Sequence, residues 1–240
     1  MTEPVSVSVI LPTFNERGSM QQLIPRLEQV LSRYDHELIV VDDASADGTA
    51  ELVEDLDHGI PLVLIRRSGR LGLASAVLDG IARSRAPVVA VMDSDGSHPP
   101  GLLPALIDPV VRGEAEMVIA SRRLPGGGDD GQPGARRALS WGASLLARPL
   151  TDVSDPMSGF FAMDRRIVDR AALTPVGYKI ALEMLVKCRP DPLREIPYRF
   201  APRLAGESKL GGTEVRSYVR HLGRLYVWRV GPLGRASSTR

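Results

Sequence analysis

Through its first 120 residues the chain alternates short β-branched runs with stretches of helical periodicity, and few folds accommodate that order. "VSVSVIL" (5–11) has the β-branched content and partial alternation of a strand. In the following "SMQQLIPRLEQVLSRY", Leu23, Leu27, Val30 and Leu31 recur at helical spacing. "ELIVVDD" (37–43), a short helix capped by Asp47, "PLVLIRR" (61–67) and a helix around "LGLASAVLDGIARS" continue the series. Strand "PVVAVMD" (87–93), helix "GLLPALIDPVV" and strand "AEMVIAS" (115–121) complete it. Strands that alternate with helices pair in parallel, so the order predicts a doubly wound, three-layer α/β sheet.

The pattern breaks at "RRLPGGGDDGQPGARR" (122–137), which reads as a long glycine-rich loop at the presumed ligand edge. A helix ("ALSWGASLLARPL"), an irregular piece ("DVSDPMSGFFAM"), a helix pair, a strand ("LREIPYRF") and a final helix follow. At 240 residues with 43% apolar content the chain suits one large domain. The expected organisation is a catalytic domain over 1–212, a basic amphipathic helix over 213–230 and a disordered tail over 231–240.

Net charge is +1, yet residues 203–240 carry eight basic residues against Glu207 and Glu214, a local +6. That asymmetry predicts an anionic partner for the C-terminal segment. The single cysteine, Cys188, excludes an internal disulfide and a cysteine metal cluster. The start, "MTEPVSVSVILP", lacks a basic flank and does not read as a signal peptide. No apolar run approaches the roughly 18–20 residues that span a bilayer. These features predict a cytoplasmic protein.

Ligands of open parallel sheets bind outside the carboxyl ends of the strands. There the chain places Pro12, Thr13, Phe14, Asn15 and Glu16, then Asp42 and Asp43, then Asp93 and Asp95. Asp43 and Asp47 also suit plain capping and turn roles. In Asp93-Ser94-Asp95 an extended backbone would aim both carboxylates at one spot, where a divalent cation shared with a diphosphate would relieve their repulsion. His98, followed by Pro99 and Pro100, reads as a turn-fixing residue more than a ligand. No GxGxxG follows the first strand, neither a P-loop nor a GxSxG elbow occurs, and the four histidines lack zinc-site spacing.

Five blocks in order, "VILPTFNE", "IVVDDASADGT", "VMDSDGSHPP", "DPMSGFFAM" and "PRLAGESKLGG", give the chain a resemblance to the family 2 glycosyltransferases, and within them to the dolichol- or polyprenol-phosphate mannose synthases. The resemblance runs from about Val5 to about Trp228. It implies a GT-A fold, a Rossmann-like α/β/α sandwich with a mostly parallel central sheet, here followed by a C-terminal amphipathic helix. It also implies a sugar-nucleotide donor, GDP-mannose, a polyprenyl or dolichyl monophosphate acceptor, and Mg²⁺ or Mn²⁺. Pro12, Phe14, Asn15, Glu16 and Asp42 match the nucleotide-holding positions, and Asp93, Ser94 and Asp95 the metal and diphosphate site. Ser97 departs from the pattern, since a glutamine usually stands there, often as a third metal ligand; with Asp93 and Asp95 it completes the implied metal set, its hydroxyl ligating through a water. Arg122 matches the arginine after strand five, Asp155 and Ser158 the block near the transferred sugar, and Arg203, Ser208 and Lys209 the block on the phosphates. Asp95, Arg122, Asp155, Arg203 and Lys209 are thus the expected catalytic set, with inversion at the sugar as the family's outcome.

A lipid monophosphate is already largely ionised near neutral pH, so such a transfer needs no strong general base. It needs cations for the leaving diphosphate and for two approaching anions. In "TEVRSYVRHLGRLYVWRV" (213–230), Val215, Val219, Leu222 and Tyr226 form one stripe and Arg216, Arg220 and Arg224 another. That helix is expected to dock on a membrane surface or to pack on the domain; a separate membrane-spanning partner is the other route to a lipid acceptor. Competing readings are a UDP-glucose or UDP-N-acetylglucosamine donor, a non-lipid acceptor with Asp155 as base, and a silent nucleotide-sugar-binding module. No nucleic acid is expected.

Overall fold

The computed structural model describes residues 6–56, 61–130, 134–174, 179–204 and 212–231. Its strands are β1 (Val7–Thr13), β2 (His36–Asp42), β3 (Leu62–Arg66), β4 (Val88–Val91), β5 (Met117–Ser121), β6 (Gly128–Asp129), β7 (Phe161–Asp164), β8 (Leu193–Pro197) and β9 (Arg199–Phe200). Its α-helices are α1 (Arg17–Leu31), α2 (Thr49–Asp55), α3 (Leu73–Arg83), α4 (Leu103–Val111), α5 (Gly134–Ala147), α6 (Ile180–Lys187) and α7 (Gly212–Val230). Seven strands form one sheet in the order β3-β2-β1-β4-β7-β5-β8. All pair in parallel except β7, which runs antiparallel between β4 and β5. The expected irregular piece thus ends in a central strand, since "FFAM" is too short to show a period. The expected strand over 193–200 splits into β8 and β9, and β9 pairs with β6 from the glycine-rich loop in a separate two-stranded sheet.

Strand alternation explains the layers. Val7, Val9 and Leu11 of β1 face one side, where Leu23, Leu27 and Leu31 of α1 and Leu103, Leu106 and Ile107 of α4 cover them. Ile10 faces the other, among Ala74, Val77 and Ile81 of α3 and Ala181 and Met184 of α6. Being covered on both faces, β1 and β2 read as almost continuous apolar runs. A third cluster joins Ala147 and Leu150 to Leu182 and Val186 of α6 and to Tyr218, Leu222 and Leu225 of α7. Among the described residues, no helix is long and apolar enough to cross a membrane. The order places β2 and β3 on one side of β1 and β4 on the other, so the sheet's switch point is the crevice between β1 and β4.

Candidate active site

Most of the residues singled out in sequence lie at the ends of β1, β2 and β4 and in the turns that follow. From β1, the Pro12 carbonyl accepts the Ser94 hydroxyl at 2.9 Å, tying the first strand's end to the acidic turn. Asn15 takes a positive φ of 54°, and its amide donates to the Ser45 hydroxyl while its side-chain carbonyl accepts from Ala46 N–H. The Asp42 carboxylate accepts from Thr13, from Ser45 N–H at 2.9 Å and from the Ser45 hydroxyl. Phe14 lies under the Arg70 guanidinium, 4.4 Å from ring centroid to carbon. The two residues with a capping or turn alternative hold turns ahead of helices whose N-caps are glycines. Asp43 receives Leu71 and Gly72 N–H ahead of α3 and pairs with Arg67, while Asp47 receives Arg17 and Thr49 N–H.

β4 ends at Val91, so Asp93-Ser94-Asp95 is a turn and the two carboxylates do not share a strand face. This corrects the expectation of an extended pair. The Asp93 side chain keeps 31% of its surface open, whereas that of Asp95 keeps 6%. One Asp95 oxygen accepts both Ser97 N–H, at 2.9 Å, and the Ser97 hydroxyl; the other meets Arg203 at 3.1 Å. Ser97 is fully buried and its hydroxyl points inward to Asp95. Arg203 also reaches Glu16, at 3.7 Å, so one guanidinium spans the ends of two elements far apart in sequence. Ser208 and Lys209 lie outside the described residues.

His98 holds the turn from beneath. It is 1% exposed, accepts Asp93 N–H at Nδ1 over 2.9 Å and stacks on Phe160 at 4.8 Å. Burial pushes its basicity below the ordinary histidine range, against the pull of Asp93 and Asp95. Beside it Tyr198, also buried, has its phenol pushed well above the usual range by that burial.

Past β5, Arg122 forks onto Asp155, Nε at 2.6 Å and Nη2 at 2.8 Å, and its backbone N–H adds a third bond. Asp155 is fully buried. That burial would raise its pKa, but the Arg122 hydrogen bonds and charge outweigh it and hold the carboxyl below the usual range. Nη1 of Arg122 faces Asp129 at a looser 3.4 Å. Arg123, next in line, lies 5.2 Å over Trp141 of α5. Ser158 is buried and its hydroxyl accepts Phe160 N–H. Asp129, Arg123 and Trp141 were not anticipated: Asp129 comes from the glycine-rich loop and Trp141 from α5, and they meet Arg122 and Arg123 only in the folded chain.

Asp93, the more open carboxylate, is a hard oxygen donor suited to a divalent cation that takes the rest of its shell from phosphate and water, and Asp95 can join it through the oxygen that here meets Arg203. Among the described residues no group of three His, Cys, Asp or Glu could hold a metal ion by itself, so the donor set suits a shared ion and not a closed protein cage.

Residues 8–171 match the family model described as glycosyl transferase family 2. The chain belongs to that family. This glycosyltransferase is 39% identical, over 93% of its length, to the dolichol-phosphate mannosyltransferase of Pyrococcus furiosus, and spans 64% of that relative. To the dolichol-phosphate mannosyltransferase of Saccharomyces cerevisiae it is 37% identical, covering 95% of this chain and 89% of the other. Among solved structures, glucosyl-3-phosphoglycerate synthase from Mycobacterium tuberculosis, in complex with Mn²⁺, UDP and phosphoglyceric acid, superposes with a TM-score of 0.69 at 24% identity. That superposition covers 95% of this chain and 79% of the synthase and shows the shared GT-A fold.

Proposed function

We propose that this glycosyltransferase moves mannose from GDP-mannose onto a polyprenyl or dolichyl monophosphate, with inversion and with a divalent cation at the acidic turn. The observation that carries the reading is the Arg122–Asp155 pair, taken with the names of the two relatives. Asp155 is the carboxylate a hydroxyl acceptor would need as base, and both of its oxygens are held by a guanidinium beneath the surface. A site with cations at hand and that carboxylate engaged suits an acceptor that arrives ionised.

Asp93 and Asp95 would hold the Mg²⁺ or Mn²⁺, which when bound neutralises charge on the departing diphosphate. Pro12, Phe14, Asn15, Glu16 and Asp42 wall the nucleotide side of the crevice, and Ser94 fixes that wall to the turn. Arg122, held in plane by Asp155, offers Nη1 to an acceptor phosphate in exchange for the loose Asp129 contact. Arg203 brings positive charge between the two anions, and Lys209, outside the described residues, is proposed to act with it. The acceptor oxygen bonds to the anomeric carbon as the bond to the donor diphosphate breaks, and no proton has to leave. Ser158 and Asp155 stand behind the sugar as supports. We place the enzyme peripherally on the cytoplasmic face of a membrane. The outward surface of α5 and α7, where apolar and basic side chains mix, supports that placement.

Labelled GDP-mannose, UDP-glucose or UDP-N-acetylglucosamine is incubated with polyprenyl phosphate and Mg²⁺ or Mn²⁺, then extracted into organic solvent. Label in the lipid phase from GDP-mannose is expected. Label from a UDP-sugar alone would overturn the donor, and no label from any donor would overturn the lipid acceptor and favour a silent binding module.

A further inference from the structure

We propose that His98 is the positioning residue for Asp93, holding its carboxylate at the mouth of the crevice for the cation. The inference rests on the reading just given, in which Asp93 meets a divalent ion and a diphosphate. A buried aromatic-walled histidine has an ordinary alternative, packing alone, and the geometry goes further than packing in three respects.

First, Nδ1 receives the Asp93 backbone N–H at 2.9 Å, so Nδ1 carries the lone pair and the ring proton sits on Nε2. Second, that Nε2 lies 3.7 Å from Asp93 Oδ2, too long for a direct hydrogen bond but close enough for the N–H dipole to act on the carboxylate. One imidazole therefore grips the backbone of Asp93 and faces its side chain. Third, the ring cannot turn freely. Phe160 stacks on it at an interplanar angle of 7°, and Tyr198 and Phe200 meet it edge-on at 5.7 and 5.9 Å.

The consequence is a division of labour within the turn. Asp95 is fixed by Ser97 and Arg203, which contact its own oxygens. Asp93 is the more open carboxylate, and what fixes it comes from below, through a ring that reaches neither the solvent nor the ligand. Partners of this kind, behind a metal ligand, typically change metal affinity by about 10–100-fold when removed.

The test replaces His98 with each of two amides of different reach. Asparagine places its carbonyl near the position of Nδ1 and can still accept Asp93 N–H; glutamine places its amide near Nε2 and cannot. Mn²⁺ binding to the full chain in saturating GDP is followed by the EPR signal of free Mn²⁺, with Tm measured alongside and Asp93→Asn as the reference. The expected result is a Mn²⁺ Kd for His98→Gln raised about 10-fold or more, and one for His98→Asn within a few-fold of the parent. A packing role would lower Tm in both variants and leave their Mn²⁺ affinities equal, which overturns the inference while Asp93→Asn still loses Mn²⁺. If Asp93→Asn binds Mn²⁺ like the parent, the metal reading falls and the inference falls with it.

Discussion

Asp155 illustrates how a residue's chemistry depends on what reaches it. As a carboxylate in a family block it is open to reading as a base, and only the fold, bringing Arg122 from 33 positions away, shows it fully engaged. Replacing Asp155 with Asn leaves a buried guanidinium half-partnered, which typically costs about 3–5 kcal/mol. The variant should therefore show a much lower Tm and weakened transfer, whereas a free base would lose activity alone. The pH dependence has a definite sign. Folding lowers this carboxyl below its ordinary value, so the pair stabilises fully above about pH 4 and the contribution is lost as pH falls towards the native value. The acid limb of a denaturation curve should be flatter in the Asn variant. Ser97 yields the opposite lesson. Restoring the family's glutamine looks like an improvement in sequence, but the site is fully buried and its carbonyl holds Ala201 N–H. Ser97→Gln should cost about 1–3 kcal/mol through overpacking, read as a fall in Tm, and should not tighten Mn²⁺.

Elements with a long period were legible in sequence, and those defined by partners were not. α1, α3 and the strands β1, β2 and β5 announce themselves because both faces of the sheet are covered and each helix buries one stripe. β7 does not, because a four-residue strand takes its identity from the β4 and β5 edges it joins. The stripe read on α7 is also divided by the structure. Leu222 packs on the domain, while Val215 and Val219 face outward with Val227 and Val230. On α5, Leu139, Trp141, Leu145 and Leu146 are likewise exposed, so eight of the ten large exposed apolar side chains among the described residues lie on these two helices. Tyr218 and Tyr226 of α7 donate to carbonyls of α5, so the two helices meet as one surface. Such concentration on one surface fits insertion into a bilayer interface, with Arg216, Arg220 and Arg224 beside it for anionic lipid. A basic residue near a charged membrane contributes about 1 kcal/mol, so Arg220→Glu with Arg224→Glu should weaken flotation with phosphatidylserine vesicles by at least about 10-fold at low salt. Trp141→Ser should weaken it at any salt, and unchanged binding by all three substitutions would remove the membrane from this surface.

At the scale of the molecule, two distant segments share one turn at the candidate site. Asp95 carbonyl accepts Leu204 N–H at 2.9 Å and Ser97 carbonyl accepts Ala201 N–H at 3.0 Å, so the approach to the C-terminal basic block is hydrogen-bonded to the acidic turn of the crevice. The sequence displayed both blocks and their order; their contact, more than 100 residues apart along the chain, was beyond any local pattern. Gly96 makes the contact possible. Its φ is +81°, and a Cβ there would stand 2.4 Å from Leu204 Cγ. Gly96→Ala therefore carries two separable penalties, about 1–2 kcal/mol for a left-handed non-glycine residue and the collision with Leu204. Leu204→Ala removes the colliding Cγ and Cδ1 but not the backbone cost. In a double-mutant cycle the pair should couple favourably, the double variant recovering stability and donor affinity relative to Gly96→Ala alone. If Leu204 were incidental to the turn, the two changes would simply add.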